Sequence, residues 1–280
     1  MVTNNKSIEK AKANFEKGNE LKEQGNFEES IQSYQQAIKI KPNYTQPLPK
    51  LAEIYESQQN WSEAVKCYQR MIGLNPVNHA PYLKLAKVLQ QQNKIHGAIA
   101  AYQEAIELKP DLPAQVYKQL GDLLLQERDE VEVAIGYYQK AVELNSKWNA
   151  GFYTKYANTL MKQKRFDEAI AYYQKVIQLK PDLAKAYLSL GDALFKKGQL
   201  DEAMASYQKA IQLQPNFVGA YKKLGDIFKH KDHLDTAIRC YQKAIEIKPD
   251  ATYIFRLLGD ILKQQGKEQE AEQYYARATQ

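Results

Sequence analysis

The chain has 280 residues, 44% of them hydrophobic and 26% charged, with a formal net charge of +6. It holds enough apolar material for a core and lacks the composition of a disordered chain, so two ordinary domains or one extended array are in range. No run of 18 apolar residues spans a membrane, and MVTNNKSIEKAKANFEKGNE lacks the apolar stretch of a secretory signal, so a cytoplasmic location is expected.

Residues 1–10 read as a polar N-terminal extension. Eight stretches follow, 11–44, 45–78, 79–112, 113–149, 150–183, 184–217, 218–251 and 252–280. Each repeats a tyrosine in one phrase, as in YQKAIEIKPD at 241–250. The tyrosines are Tyr34, Tyr68, Tyr102, Tyr138, Tyr173, Tyr207, Tyr241 and Tyr275, in steps of 34, 34, 36, 35, 34, 34 and 34 residues. A near-constant period of this length marks a solenoid in which each unit covers its neighbour's apolar face.

The first stretch has Asn14 and Lys17 where buried units carry apolar groups, as suits a terminal unit with one solvated side. The fourth has an extra residue near QERDEVE, is bracketed by Pro113 and Asn149, and has Ser146 in place of proline. A local change of superhelical pitch is expected across 113–149. The sixth shows the unit's plan. Tyr187, Leu190, Gly191 and Leu194 share one helix face. Gly198 stops that helix, and Asp201 is placed to cap the next. Ala203, Tyr207 and Ala210 mark the second helix's inner face, and Pro215 ends it. The eighth breaks off at Gln280 with its second helix short, and Glu268 stands where most copies have an apolar residue. That pattern suggests a piece of a longer protein, or an end covered by another chain, with self-association through the last repeat as one form of cover.

Tyr187, Leu190-Gly191, Ala203, Tyr207, Ala210 and Pro215 fall at places 4, 7, 8, 20, 24, 27 and 32 of a 34-residue unit. In this the chain resembles the tetratricopeptide repeat (TPR) family over residues 11–280. The resemblance implies an all-α fold, a right-handed superhelical solenoid of helix-turn-helix repeats whose first helices line a concave groove.

No phosphate loop, dinucleotide-binding glycine motif, HExxH, GxSxG or CxxC is present, so no enzyme activity, cofactor or metal is expected. His230 and His233 form the only metal-like pair, at a helix end and without a third ligand nearby. Cys67 and Cys240, the only cysteines, give neither a disulfide framework nor a metal spacing.

The resemblance implies that places 2, 5, 6, 9, 12 and 13 of each first helix face the groove. Across the eight repeats they carry fifteen Lys or Arg and eight Asp or Glu, the excess lying in repeats three to eight. A surface of one sign favours ligands of the other. The expected ligand set is Lys84, Lys87, Lys118, Asp122, Lys155, Asn158, Lys162, Leu188, Asp192, Phe195, Lys222, Asp226 and Arg256. Leu125, Met161 and Phe195 share one place in successive repeats, which suggests an apolar strip within the basic surface. Some relatives grip a C-terminal carboxylate with a Lys/Asn/Asn/Lys/Arg clamp. Asn19 fits that pattern, but Phe15, Lys50, Ala80 and Lys84 depart from it.

The function expected is a protein-interaction scaffold that binds an acidic peptide or partner protein in the groove of repeats three to eight. The alternative is the recruiting or regulatory N-terminal region of a larger glycosyl-, sulfo- or methyltransferase. Nucleic acid is not expected as a partner, since Asp122, Asp192, Asp226 and Asp260 would repel phosphates.

Overall fold

The computed structural model describes residues 2–126 and 130–279. Among these residues there are sixteen α-helices and no β-strand. The chain forms two compact units, Met1–Asn145 and Ser146–Gln280. The first holds α1 (Val2–Glu23), α2 (Phe27–Ile40), α3 (Pro47–Ser57), α4 (Trp61–Leu74), α5 (His79–Gln91), α6 (Ile95–Leu108), α7 (Ala114–Leu124) and α8 (Val131–Leu144). The second holds α9 (Ala150–Lys162), α10 (Phe166–Leu179), α11 (Ala184–Lys197), α12 (Leu200–Leu213), α13 (Val218–His230), α14 (Leu234–Ile247), α15 (Thr252–Gln264) and α16 (Glu268–Arg277). Odd-numbered helices are the first and even-numbered helices the second of each hairpin. The helix α1 begins within residues 1–10 and runs on into the first repeat as far as Glu23.

The repeated phrase sets the second helices. From α2 to α14 each is 14 residues long, and α16 has 10. Their inner faces pack without gaps: Ala203, Tyr207 and Ala210 on α12 and Ala237, Tyr241 and Ala244 on α14 are fully buried. Six of these helices have proline two residues beyond the last helical one, as Leu213 and Pro215 show. The helix α8 ends at the same place ahead of Ser146, with Asn145 in extended conformation. Proline therefore accompanies the stop and is not required for it. Where proline does follow, it disfavours helical backbone at the residue before it and so reinforces the stop.

The turn between the two helices has one recurring geometry. Gly25, Gly198 and Gly266 have φ of 80, 88 and 76°, and Gln59, Asn93, Lys164 and Asp232 at the same place have φ of 56–61°. Glycine takes this left-handed conformation cheaply, whereas Gln and Lys hold it at a cost.

Asp201 does not cap α12. The cap position is Gln199, and Asp201 lies in the helix's first turn, where it pairs with Lys231 from the turn of the following repeat. The same link joins Asp167 to Lys197 and Asp235 to Gln265 at 3.0 Å. The capping pattern is instead found at Asn149, whose side chain accepts from Phe152 N at 2.9 Å.

In repeat four the extra residue falls in QERDEVE, of which residues 127–129 lie outside the described residues. The expected change of superhelical pitch therefore falls partly outside the described residues. Around it, α7 keeps Leu120, Gly121 and Leu124 buried, and Tyr138 reaches its partner across 16 residues where five other repeats use 15. The packing between α7 and α8 is kept despite the extra residue.

Candidate functional site

The first helices of neighbouring repeats meet side by side within each unit. In the first unit Lys22 on α1 pairs with Glu53 on α3 at 2.5 Å. That hydrogen bond holds the Glu53 carboxyl below the usual carboxylate range, despite partial burial. In the second unit Lys223 on α13 pairs with Asp192 on α11 at 2.9 Å, and the Phe195 ring meets His230 edge-on at 6.4 Å.

The ninth place of the repeat turns out to join two layers. Tyr207, whose ring is fully buried, donates its hydroxyl to Asp192 Oδ1 at 2.7 Å. Tyr138 does so to Asp122 at 2.6 Å, Tyr241 to Asp226 at 2.8 Å and Tyr275 to Asp260 at 2.9 Å. Asparagine serves equally: Tyr173 donates to Asn158 at 2.6 Å and Tyr34 to Asn19 at 2.8 Å. Where the ninth residue is Glu53 or Lys87, the hydroxyl turns to place 12, Tyr68 to Glu56 and Tyr102 to Gln90. Burial and the adjacent carboxylate push the Tyr138, Tyr207 and Tyr241 phenols well above their ordinary value.

Glycine at the eighth place makes room for this contact. A β-carbon on Gly191 would lie 2.5 Å from Tyr207 Cε1, and one on Gly121 would lie 2.7 Å from Tyr138 Cδ1. Such distances require the ring to move.

The expected ligand residues divide by unit and by exposure. In the first unit Lys84 and Lys87 are exposed on α5, while Lys118 and Asp122 are half-buried on α7 and bonded at 2.5 Å. In the second, Lys155, Asn158 and Lys162 are exposed on α9 and Arg256 on α15. Leu188, Asp192 and Phe195 on α11 and Lys222 and Asp226 on α13 are half-buried, with Lys222 bonded to Asp226 at 2.6 Å. Thus Asp122, Asp192 and Asp226 each accept from both a tyrosine and a lysine. The structure puts these carboxylates in the hairpin's own packing as well as on the surface. The apolar strip is half-buried at each place, Leu125 in the first unit and Met161 and Phe195 in the second.

His230 closes α13 and His233 precedes α14, so they do not share a helix end. Among the described residues no three His, Cys, Asp or Glu side chains cluster as metal ligands. Cys67 is buried, and burial pushes its thiol up to about 11. No helix among the described residues is long and apolar enough to cross a membrane.

Sequence comparison matches the pattern described as TPR repeat to residues 18–59, 157–198, 191–232 and 225–266. Two patterns described as tetratricopeptide repeat match 50–113 with 83–147, and 257–280. Among solved structures the chain is similar to YrrB, described as a TPR protein with an unusual peptide-binding site. Identity is 24% over 68% of this chain and 97% of that one, with a TM-score of 0.57. It is also similar to MamA, at 29% identity over 57% of this chain and 92% of that one, TM-score 0.52. The C-terminal part of a TPR repeat-containing protein from Cytophaga hutchinsonii shares 16% identity over 82% of this chain and 93% of that one, TM-score 0.61. The first and third likenesses concern the fold alone. No curated protein matches the chain.

Proposed function

This chain belongs to the tetratricopeptide repeat family, a family of interaction scaffolds, and from that premise we propose that its first-helix faces bind acidic segments of a partner protein. The faces concerned are those of repeats three and four in the first unit and five to eight in the second. One observation carries the reading: the acids of these faces are engaged by the chain itself. Asp122, Asp192 and Asp226 each take a tyrosine hydroxyl and a lysine ammonium. Lys162 on α9, Lys185 and Lys196 on α11 and Arg256 on α15 meanwhile stand exposed in the second unit. The acids are thereby held in internal pairs while the net charge of these faces stays positive, and a field of one sign steers ligands of the other.

Polyglutamate titrated into the full chain tests this reading. Binding should weaken as salt rises and disappear when Lys162, Lys185 and Lys196 are changed together to Glu. Binding indifferent to both would end the proposal.

A further inference from the structure

In the first unit, α2 and α4 leave between them a cleft of about 440 Å3 that is floored by α3 and open to solvent. Ile38, Leu48, Leu51, Tyr55 and Cys67 form its interior, and all are buried. Its rim carries Lys39 on α2, with Lys66 and Arg70 on α4. The single acid of the rim, Glu63, is bonded to Lys66 at 2.6 Å. Arg70 donates to the Pro42 carbonyl at 2.8 Å and so closes one end of the cleft.

The residue just before the repeated tyrosine contributes to this space, although small side chains also stand there in other repeats, as Ser33, Ala101, Ser206 and Cys240. Repeats four and five have Tyr137 and Tyr172 there. Tyr137 lies 6.3 Å from Tyr117, and Tyr172 lies 4.5 Å from Tyr156. These rings occupy the space against the first helix. Repeat two has Cys67, a small side chain, and the cleft beside it is lined by Ile38, Leu48 and Leu51. An open cleft does not enclose a small molecule as a pocket would. It suits side chains delivered on a chain, as in the docking of helices and extended peptides. The cationic rim selects carboxylates beside those side chains.

We propose that this cleft is a second docking site, for a segment of a partner protein presenting one or two leucine- or phenylalanine-sized side chains flanked by acids. It shares no residue with the first-helix faces, so it stands whether or not the reading of those faces is correct. Together the two surfaces would let one chain hold two partners at once.

The probe is the hexapeptide Glu-Glu-Leu-Phe-Glu-Glu, blocked at both ends and titrated into the full chain by calorimetry. Binding of about millimolar strength or tighter is expected. Cys67→Tyr, which fills the cleft as Tyr137 and Tyr172 fill theirs, should weaken binding at least about tenfold. Arg70→Glu, on an exposed residue, should weaken it several-fold and serves if Cys67→Tyr misfolds by circular dichroism. All of these titrations are made in a background with Lys162, Lys185 and Lys196 changed to Glu, so that the first-helix faces do not compete for the acidic probe. The proposal is overturned by no binding or by binding that survives both cleft variants. Binding of decanoate in place of the peptide would overturn it too, in favour of a small amphiphile.

Discussion

Tyr207 and Asp192 join the two helices of repeat six through a 2.7 Å hydrogen bond, and Lys223 of the next repeat reaches the same carboxylate oxygen at 2.9 Å. The hydroxyl gives a fully buried ring its polar contact with the ligand-facing layer. Removing it with Tyr207→Phe leaves the carboxylate with Lys223 alone, at a cost of about 1–2 kcal/mol. Amide exchange in α11 and α12 should accelerate accordingly, because a repeat array opens locally. Unchanged exchange there would show that the bond contributes nothing.

Gly191→Ala sets a methyl 2.5 Å from the Tyr207 ring. Overpacking of this kind costs roughly 1–3 kcal/mol. Repeat five carries Ala157 at the same place, with Tyr173 still bonded to Asn158, so the variant should fold with a lowered urea midpoint. An unchanged midpoint would mean that the ring shifts freely.

Lys164 and Gln59 hold φ of 58 and 57° where other repeats have glycine. Relieving that conformation with Lys164→Gly or Gln59→Gly should stabilise each hairpin by about 0.5–1.5 kcal/mol. Asn93→Gly should gain less, since asparagine tolerates the left-handed region. Thermal melts of the three variants order these effects directly.

The buried tyrosines make the fold sensitive to alkali. Burial raises Tyr102 and Tyr173 from the ordinary value of 10 to about 12. Below pH 10 both folded and unfolded chains keep these protons. Above it the unfolded chain loses them first, so stability falls with rising pH through the window from 10 to 12. Spectrophotometric titration should show exposed tyrosines ionising first and the buried set only together with loss of helical circular dichroism. A single smooth titration with helicity intact would contradict this.

Charge reversal on the first-helix faces should depend on whether a lysine is already bonded. Lys162, Lys185 and Lys196 are exposed, whereas Lys118 and Lys222 hold Asp122 and Asp226. Changing Lys118 or Lys222 to Ala removes a surface pair worth about 0.3–0.5 kcal/mol and bares a carboxylate. Polyglutamate binding should therefore weaken through repulsion as well as lost attraction, and Lys222→Ala combined with Asp226→Asn should restore part of it. Failure of that double variant to recover binding would assign the effect to the lysine itself.

The period of the tyrosines was enough to set the repeat and the place of its hairpins, because helical spacing and a glycine stop are local signals. Gly198 ends α11 as read. Asp201 was misassigned because its partner, Lys231, lies 30 residues on and is brought near only by stacking of the next repeat. The tyrosine hydroxyl's partner escaped for the same reason, although a trace was visible: Gly-Asp or Gly-Asn stands 16 and 15 residues before Tyr34, Tyr207, Tyr241 and Tyr275, and one residue further before Tyr138. Ligand residues are harder to read. Lysine occupies both exposed and internally paired places, and composition does not distinguish them.

The bonds from tyrosine to the ninth residue begin and end inside a single hairpin in all six repeats that make them. Such a segment carries its own fastening wherever it is copied. Lengthening the array by duplication then requires only that the new joint fit, and the ligand-facing residues of each copy are free to diverge at once.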